Sequence, residues 1–190
     1  MDYGMKDFLN QIHPLHEHVV EEYLSCWKPV AYKRRSVLTQ EGQTERFMYF
    51  VEEGIQRSYY LREDKEHVIA FTYPPSFSGI PESFFSQTPS KYFLECITDS
   101  RLLKISYEDH QQMMLKHREI ETLFRRGTEM LLIGTMERHF ELMAFDMEER
   151  FRSFAKRSPH LLNMVPHKYL ASYLRIDPTN FSKLMGKISI

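Results

Sequence analysis

The chain has 190 residues, with 25 Lys/Arg against 26 Asp/Glu and a formal net charge of −1, a length that suits one ordinary domain and a second, smaller one. Its 42 % hydrophobic residues can fill a core, but no apolar run approaches the roughly 20 residues of a membrane span, and the N-terminus lacks the layout of a signal peptide. The two cysteines, Cys26 and Cys96, are too few for a four-cysteine iron–sulfur site and fit the reducing cytoplasm, where we expect the protein.

The N-terminal part changes from helical to strand periodicity. Residues 5–25 carry apolar side chains at spacings of three and four, which predicts helix. From about Val30 the pattern becomes short β-branched or aromatic runs separated by glycine and charged turns. These runs are Val37–Thr39, Phe47–Val51, Ile55–Leu61, His67–Tyr73, Tyr92–Ile97 and Leu102–Ile105. Many short strands at regular spacing predict a sandwich or barrel.

Helical periodicity returns near Tyr107 and continues to about Phe154. One long helix is predicted over about residues 118–145, although it contains two glycines that each cost about 1 kcal/mol in helix propensity. We interpret it as a dimerisation helix in which the glycines permit close approach of a second copy; the alternative is a buried helix packed on its own sandwich. The expected interface residues are Leu123, Gly127, Met130, Leu131 and Gly134. A domain boundary near Asp146 then divides residues 1–145 from 146–190.

The C-terminal segment has the pattern of two short helices joined by a tight turn. Pro166 can open the first helix, whose apolar face is Leu170, Ala171 and Leu174. Asp177 is a good N-cap for the second helix, with Pro178 at its first position, and the second apolar stripe is Phe181, Leu184 and Ile188. A helix-turn-helix that reads DNA needs this arrangement; an ordinary helical hairpin is the alternative.

Charge is distributed unevenly along the chain. Residues 150–190 hold eight Lys/Arg and one acid, a net charge of +7, and the remaining residues carry a net charge of −8. Clustered cations supply most of the non-specific affinity of a DNA-binding protein. A solvated basic helix face is the alternative explanation, but its coincidence with the helix-turn-helix pattern favours DNA.

The sequence gives little support for an enzyme or a metal-binding protein. The histidines of His13-x-x-His16-x-His18 fall in the N-terminal helical segment, where solvated side chains are the better interpretation. The chain has no G-x-S-x-G elbow and, with seven glycines, little material for a phosphate-cradling loop. We therefore expect no catalytic residues, no metal and no iron–sulfur cluster.

The order of these elements resembles the cyclic-AMP receptor / fumarate-nitrate regulator (Crp/Fnr) family of bacterial transcription factors. Val37–Gly42 and Met48–Arg57 look like the start of the family's effector-binding roll, Phe77–Phe85 like its short phosphate-binding cassette, and Lys168–Lys187 like its helix-turn-helix. The resemblance implies an α+β fold: an N-terminal β jelly-roll flanked by helices, a long dimerisation helix and a small C-terminal helix-turn-helix domain. It implies double-stranded DNA, a second copy of the chain and RNA polymerase as partners.

The cassette departs from the family pattern. Members that bind cyclic AMP place an Arg after the cassette, whereas this chain has Ser90-Lys91 there and no Arg between Arg62 and Arg101. Lys91 would supply only a point charge in place of a bidentate clamp, so we expect an unidentified small-molecule effector other than cyclic AMP, or none. Glu82 is either a ribose-binding carboxylate or an acid that stabilises its own helix. The candidate effector residues are Gly79, Glu82, Ser83, Ser90 and Lys91.

The helix-turn-helix departs as well. Arg175 stands in the turn where the family usually has Gly, so either the backbone differs there or strain is accepted. Because the chain ends at Ile190, a β-hairpin wing is expected to be absent or short. The candidate DNA-binding residues are Lys168, Arg175, Asp177, Thr179, Asn180, Ser182, Lys183 and Lys187. The sequence thus predicts a homodimeric DNA-binding regulator; the alternative is a ligand-binding module that signals through protein contacts and has a degenerate DNA-binding end.

Overall fold

The computed structural model describes residues 4–187. Its strands are β1 (Lys28–Tyr32), β2 (Val37–Thr39), β3 (Phe47–Glu53), β4 (Gln56–Arg62), β5 (Lys65–Thr72), β6 (Ser76–Ser78), β7 (Phe93–Cys96) and β8 (Ser100–Ser106). Its helices are α1 (Met5–Ile12), α2 (Glu17–Ser25), α3 (Pro81–Ser86), α4 (Tyr107–Lys116), α5 (Arg118–Ala144), α6 (Met147–Arg157), α7 (Leu161–Met164), α8 (His167–Leu174) and α9 (Pro178–Lys187).

The strands form two four-stranded sheets with the orders β1-β8-β3-β6 and β2-β7-β4-β5. This alternation of strands between facing sheets is a jelly roll, so the predicted sandwich is confirmed, and β1 and β6 are strands that the sequence pattern did not separate from their surroundings. Gly54 makes the β3–β4 turn with φ of +93°, and an added Cβ there would lie 2.3 Å from the Ser100 hydroxyl oxygen. Only glycine therefore fits this turn.

Residues 5–25 are helical as predicted, with one interruption at residues 13–16 that divides them into α1 and α2. Pro14 follows α1 and disfavours a helical backbone at the residue before it; His13 is accordingly extended, with φ of −157° and ψ of 122°. Both helices bury apolar side chains, among them Leu9, Val20 and Tyr23, in a core shared with Phe50 and Leu123.

The described chain divides into two compact units. The first runs up to Tyr60 and includes Ala70–Met130, and the second comprises Leu61–Ile69 and the residues from Leu131 onward. The predicted boundary at Asp146 coincides with the N-cap of α6, whereas the units separate earlier, within α5. The reason is that the C-terminal part of α5 is joined to α6 and α8 by contacts of Arg138 and Arg150.

The second unit has its own apolar core, built by α6 to α9. Aromatic rings pair within it: Phe151 with Phe181 at 5.5 Å and Phe154 with Tyr173 at 5.6 Å between centroids. The buried side chains are Phe151, Phe154, Leu161, Leu162, Val165, Leu170, Ala171, Leu174, Ile176, Phe181 and Leu184. Ile188, predicted in this stripe, lies outside the described residues. Within residues 4–187, no helix has the length and apolar character needed to cross a bilayer.

Candidate nucleic-acid interface and cassette loop

The turn between α8 and α9 has a defined backbone geometry. Arg175 adopts the left-handed conformation, with φ of 53° and ψ of 45°. Its N–H donates to the Ser172 carbonyl at 3.1 Å, and the Ile176 N–H donates to the Ala171 carbonyl at 3.0 Å. These are the two bonds of a Schellman motif, which normally has Gly at the left-handed position. Of the two alternatives left open by the sequence, the structure has the strained backbone.

The start of α9 is capped by a side chain. One Asp177 carboxylate oxygen accepts from the Thr179 N–H at 2.9 Å and from the Asn180 N–H at 3.4 Å. The predicted N-cap is therefore confirmed, and this carboxylate is committed to the helix. Such a cap contributes about 1 kcal/mol, so Asp177 stabilises the start of α9, where it is exposed.

The exposed face of α9 carries three of the predicted DNA-binding residues. Thr179, Ser182 and Lys183 are exposed, on the side of the helix opposite the buried Phe181 and Leu184. The Ser182 hydroxyl donates to the Pro178 carbonyl at 3.0 Å and keeps its lone pairs for another donor. Asn180 is half-buried at the edge of this face, whereas Lys168 on α8 and Lys187 at the end of α9 are exposed.

Not all of the basic charge in the C-terminal segment is available to a polyanion. Arg152 pairs with Glu148, and the Arg157 guanidinium lies 3.0 Å from the Glu141 carboxylate. The other six cations form no ion pair with another residue of the range 4–187. Arg150 is engaged by backbone carbonyls, which leaves Lys156, Lys168, Arg175, Lys183 and Lys187. The basic surface is thus smaller than the net charge of the sequence indicates.

Two arginines hold the C-terminal end of α8. The Arg150 guanidinium donates to the Leu174 carbonyl at 3.0 Å and to the Phe145 carbonyl at 2.7 Å, which ties α8 to the end of α5. Arg138 on α5 donates to the Tyr173 carbonyl, and its guanidinium carbon lies 4.1 Å from the centre of the Tyr173 ring. Sequence reasoning counted Arg150 only as charge and missed Arg138, because no local pattern distinguishes a capping arginine from a solvated one.

A buried carboxylate joins α5 to α6. Glu141 is 8 % exposed, accepts from the Ser153 hydroxyl at 2.5 Å and faces both Arg157 and Arg138. Burial alone would raise the pKa of Glu141, but the Arg157 and Ser153 hydrogen bonds, with the charge of Arg138, outweigh it and keep that pKa below its ordinary value. The carboxylate is therefore ionised at neutral pH and holds two helices together.

The long helix presents an apolar stripe. Ile133, Met136, Phe140 and Met143 follow spacings of three, four and three, and each is between 59 % and 74 % exposed. Such a/d spacing is typical of a coiled-coil seam. The apolar spacing is visible in the sequence, but the prediction placed the dimer interface on another face of the helix because of the two glycines.

The predicted interface needs correction at Leu123, which is 0 % exposed in the core of the first unit and has no surface to offer a partner. Gly134 lies seven residues before Glu141, on the side of α5 turned toward α6. Met130 and Leu131 are 61 % and 53 % exposed, and an added Cβ at Gly127 or Gly134 would meet nothing within 4 Å.

The cassette loop brings two of the predicted effector residues together. Glu82 lies in the first turn of α3, is exposed, and accepts from the Lys91 N–H at 3.4 Å. Gly79 precedes α3 with φ of +153°. Tyr92 lies near them, and burial with the neighbouring Glu82 charge raises the pKa of its hydroxyl. The Glu82 carboxylate and the Lys91 backbone therefore lie side by side at this edge of the roll.

The two predicted serines are turned inward, which corrects the sequence assignment. Ser83 is 0 % exposed; its hydroxyl accepts from the Glu45 N–H at 2.9 Å and donates to the Thr88 carbonyl at 2.5 Å. Ser90 is 3 % exposed, and its hydroxyl bonds to the backbone of Tyr92. These hydroxyls close the loop on itself, because the short loop satisfies its own backbone groups, and they are not available to an effector.

The roll also contains a buried arginine that could not be assigned a role from the sequence. Arg57 is 1 % exposed. Its Nε donates to the Glu95 carboxylate at 2.8 Å, and its guanidinium carbon lies 4.0 Å from the centre of the Tyr59 ring. Strands β4 and β7 place Arg57 directly opposite Glu95, so this guanidinium is engaged by a carboxylate. Elsewhere, no three His, Cys, Asp or Glu side chains within residues 4–187 are arranged to hold a metal ion.

Part of the chain is similar to a known protein family. Residues 29–117 match the family model of the cyclic nucleotide-binding domain. No curated protein sequence is detectably similar to the chain. Among solved structures, FixK2 from Bradyrhizobium japonicum has a TM-score of 0.73 at 17 % identity, covering 85 % of this chain and 83 % of its own. The c-di-GMP responsive global regulator CLP from Xanthomonas campestris has a TM-score of 0.66 at 20 % identity, covering 90 % and 91 %.

A third structure, CooA from Carboxydothermus hydrogenoformans, has a TM-score of 0.67 at 16 % identity, covering 98 % of this chain and 84 % of its own. At these identities the likeness shows the fold. The resemblance to the Crp/Fnr family is thereby confirmed: residues 29–117 match the cyclic nucleotide-binding domain model, and the chain has the fold of these structures.

Proposed function

We propose that this chain is a homodimeric DNA-binding transcription regulator. Its match to the cyclic nucleotide-binding domain and its Crp/Fnr-like fold support this proposal. The observation that carries the proposal is the α8–Arg175–α9 hairpin with its exposed polar α9 face. The apolar side is buried, Asp177 caps α9, and Thr179, Ser182 and Lys183 face outward. A helix with short hydrogen-bonding side chains and a cation on its free face is suited to the major groove.

The phosphate backbone is the expected partner of the remaining cations. Lys168, Arg175 and Lys187 are exposed around the hairpin, where they would fix the register of the helices without reading sequence. This predicts a strong salt dependence, since each neutralised phosphate releases counterions.

The second copy of the chain is proposed to pair through the α5 stripe of Ile133, Met136, Phe140 and Met143. Four large apolar side chains at a/d spacing on one exposed face are costly in water and are stabilised by a matching helix. We therefore place the interface on this stripe, with Met130 at its margin, rather than on the glycine face.

The effector is proposed to be a small molecule other than cyclic AMP. A bidentate Arg–phosphate clamp is missing from the cassette, its two serine hydroxyls are used within the loop, and Glu82 and Lys91 remain. The proposed function is regulatory and involves no catalytic residue.

Selection of bound duplexes from a random pool tests the function. A twofold-symmetric protein should enrich an inverted repeat with half-sites about one helical turn apart. Enrichment of a single unrepeated site would contradict the homodimer. If no sequence is enriched in the presence of a polyanionic competitor, sequence-specific binding is contradicted and the protein-signalling module is favoured.

A further inference from the structure

The tip of the β4–β5 hairpin, residues Leu61–Ile69, belongs to the same compact unit as the C-terminal helices. One hydroxyl of α8 bonds to this tip twice. Ser172 Oγ accepts from the Val68 N–H at 3.0 Å and donates to the Glu66 carbonyl at 3.2 Å. The hydroxyl thus satisfies both a backbone donor and a backbone acceptor of β5, in the way that a neighbouring strand would. Val68 is 6 % exposed, so the contact is closed to water.

The hairpin turn itself is strained and acidic. Glu63 and Asp64 form the two-residue turn between β4 and β5, with φ of 53° and 59°. Two left-handed residues in a two-residue hairpin are typical of a type I′ turn, which favours Asn-Gly. The turn therefore holds two exposed carboxylates rigidly at the tip, at a backbone cost that a loop without a role need not carry.

The position of the contact on α8 matters for DNA. Lys168 and Ser172 are four residues apart on one face of α8, and Arg175 follows directly after the end of the helix. Two of the cations proposed for phosphate contacts therefore flank the residue that holds the hairpin tip. A DNA strand on this face would meet the backbone of β5 at Ser172.

We propose that the β4–β5 hairpin tip is an autoinhibitory latch that occupies α8 at Ser172, beside the cations proposed to contact phosphate, and must leave it before DNA binds. The proposal rests on the proposed DNA-binding function. Because β4 and β5 are strands of the roll, any ligand that moves their pairing reaches α8 through this latch. Through this latch the roll can regulate DNA binding without a cyclic nucleotide.

The test is fluorescence anisotropy on a selected duplex. Ser172→Ala removes both hydrogen bonds and is expected to lower the Kd for DNA roughly tenfold, since binding no longer has to break them. Glu63→Asn with Asp64→Gly keeps the type I′ turn, removes both carboxylates and should lower the Kd as well. Thr135→Ala, which removes a hydroxyl bonded within α5, is the matched control and should leave the Kd unchanged.

Hydrogen exchange gives an independent measurement. The Val68 amide should exchange faster in Ser172→Ala than in wild type, and faster in wild type with DNA than without. An unchanged or raised Kd in both latch variants, with wild type binding normally, would overturn the latch and leave the proposed function standing. Failure of wild type and both variants to bind any duplex would overturn the proposed function, and the latch with it.

Discussion

The Arg138 guanidinium of α5 lies over the Tyr173 ring of α8, 4.1 Å from its centre, and donates to the carbonyl of the same residue. One side chain of the proposed dimerisation helix thus holds the end of the first helix of the proposed DNA-binding hairpin. Arg150 makes a second attachment at the Leu174 carbonyl. The orientation of α8 in this unit is therefore set from α5 and α6, which accounts for how pairing of α5 would fix the DNA-binding helices.

Arg138→Ala should loosen α8 without unfolding the chain. The variant loses a charged hydrogen bond and a cation–π contact, and we expect the free energy of unfolding to fall by about 1–3 kcal/mol. DNA affinity should fall while the dimer persists. Urea unfolding, anisotropy and sedimentation measure the three quantities, and His139→Ala, an exposed neighbour on α5, is the control. An equal loss in the control would remove Arg138 from this role.

Arg175 permits a test that separates strain from charge. Arg175→Gly and Arg175→Ala both remove the cation, but only glycine relieves the left-handed backbone, with φ of 53°. We expect the glycine variant to be more stable than the alanine variant by about 1 kcal/mol, measured by thermal unfolding. Both should show a salt slope of DNA binding shallower by about one unit. Equal stability of the two variants would mean that the turn is not strained.

The α5 stripe and the glycine face give opposite predictions. Phe140→Asp places a charge at an a/d position 60 % exposed in the single chain and should abolish the dimer. Gly134→Ala adds a Cβ in open space and should keep the dimer while stabilising the helix by about 1 kcal/mol. Analytical ultracentrifugation distinguishes them. A dimer lost in Gly134→Ala but kept in Phe140→Asp would return the interface to the glycines.

His110 predicts an acid-sensitive core. It is fully buried, Nδ1 lies 3.2 Å from the Tyr23 hydroxyl, and burial lowers its pKa from 6.5 to about 4. Above pH 6.5 the ring is neutral in both states. As pH falls below 6.5, the unfolded chain binds the proton first, so stability declines until the folded chain also binds it near pH 4, a loss of about 3 kcal/mol.

His110→Phe should remove this part of the pH dependence. Urea unfolding at pH 7 and pH 4.5 measures it as the difference between wild type and variant, in which the other titrating groups cancel. Parallel pH profiles for the two proteins would show that His110 does not contribute.

Most of the roll follows from local pattern, and its exceptions have physical causes. Strands β3, β4, β5 and β8 have seven or eight residues each and contain β-branched, aliphatic or aromatic runs, whereas β6 has only three residues, too few to show a period. The break at Pro14 could have been predicted from proline chemistry. Capping residues predict the starts of α6 and α9 at Asp146 and Asp177, and Ser158-Pro159 predicts the end of α6.

The candidate sites follow from the sequence less completely. Residue types identify the exposed face of α9. The burial of Ser83 and Ser90, in contrast, depends on how the cassette loop packs, which the sequence does not show. The Ser172 contact joins residues more than 100 positions apart in the chain, so no local pattern predicts it. The Arg57–Glu95 pair likewise depends on the register of β4 and β7.

Sequence-specific DNA binding can be measured by fluorescence anisotropy of the wild type with DNA from upstream of its own gene and with a scrambled duplex, at low and near-physiological salt. We expect a preference for the native duplex that survives the higher salt. Asn180→Ala, at the edge of the α9 face, should reduce that preference by about 1–3 kcal/mol. Equal binding of both duplexes that disappears with salt, or no binding at either salt, would show that the protein is not a sequence-specific DNA-binding regulator.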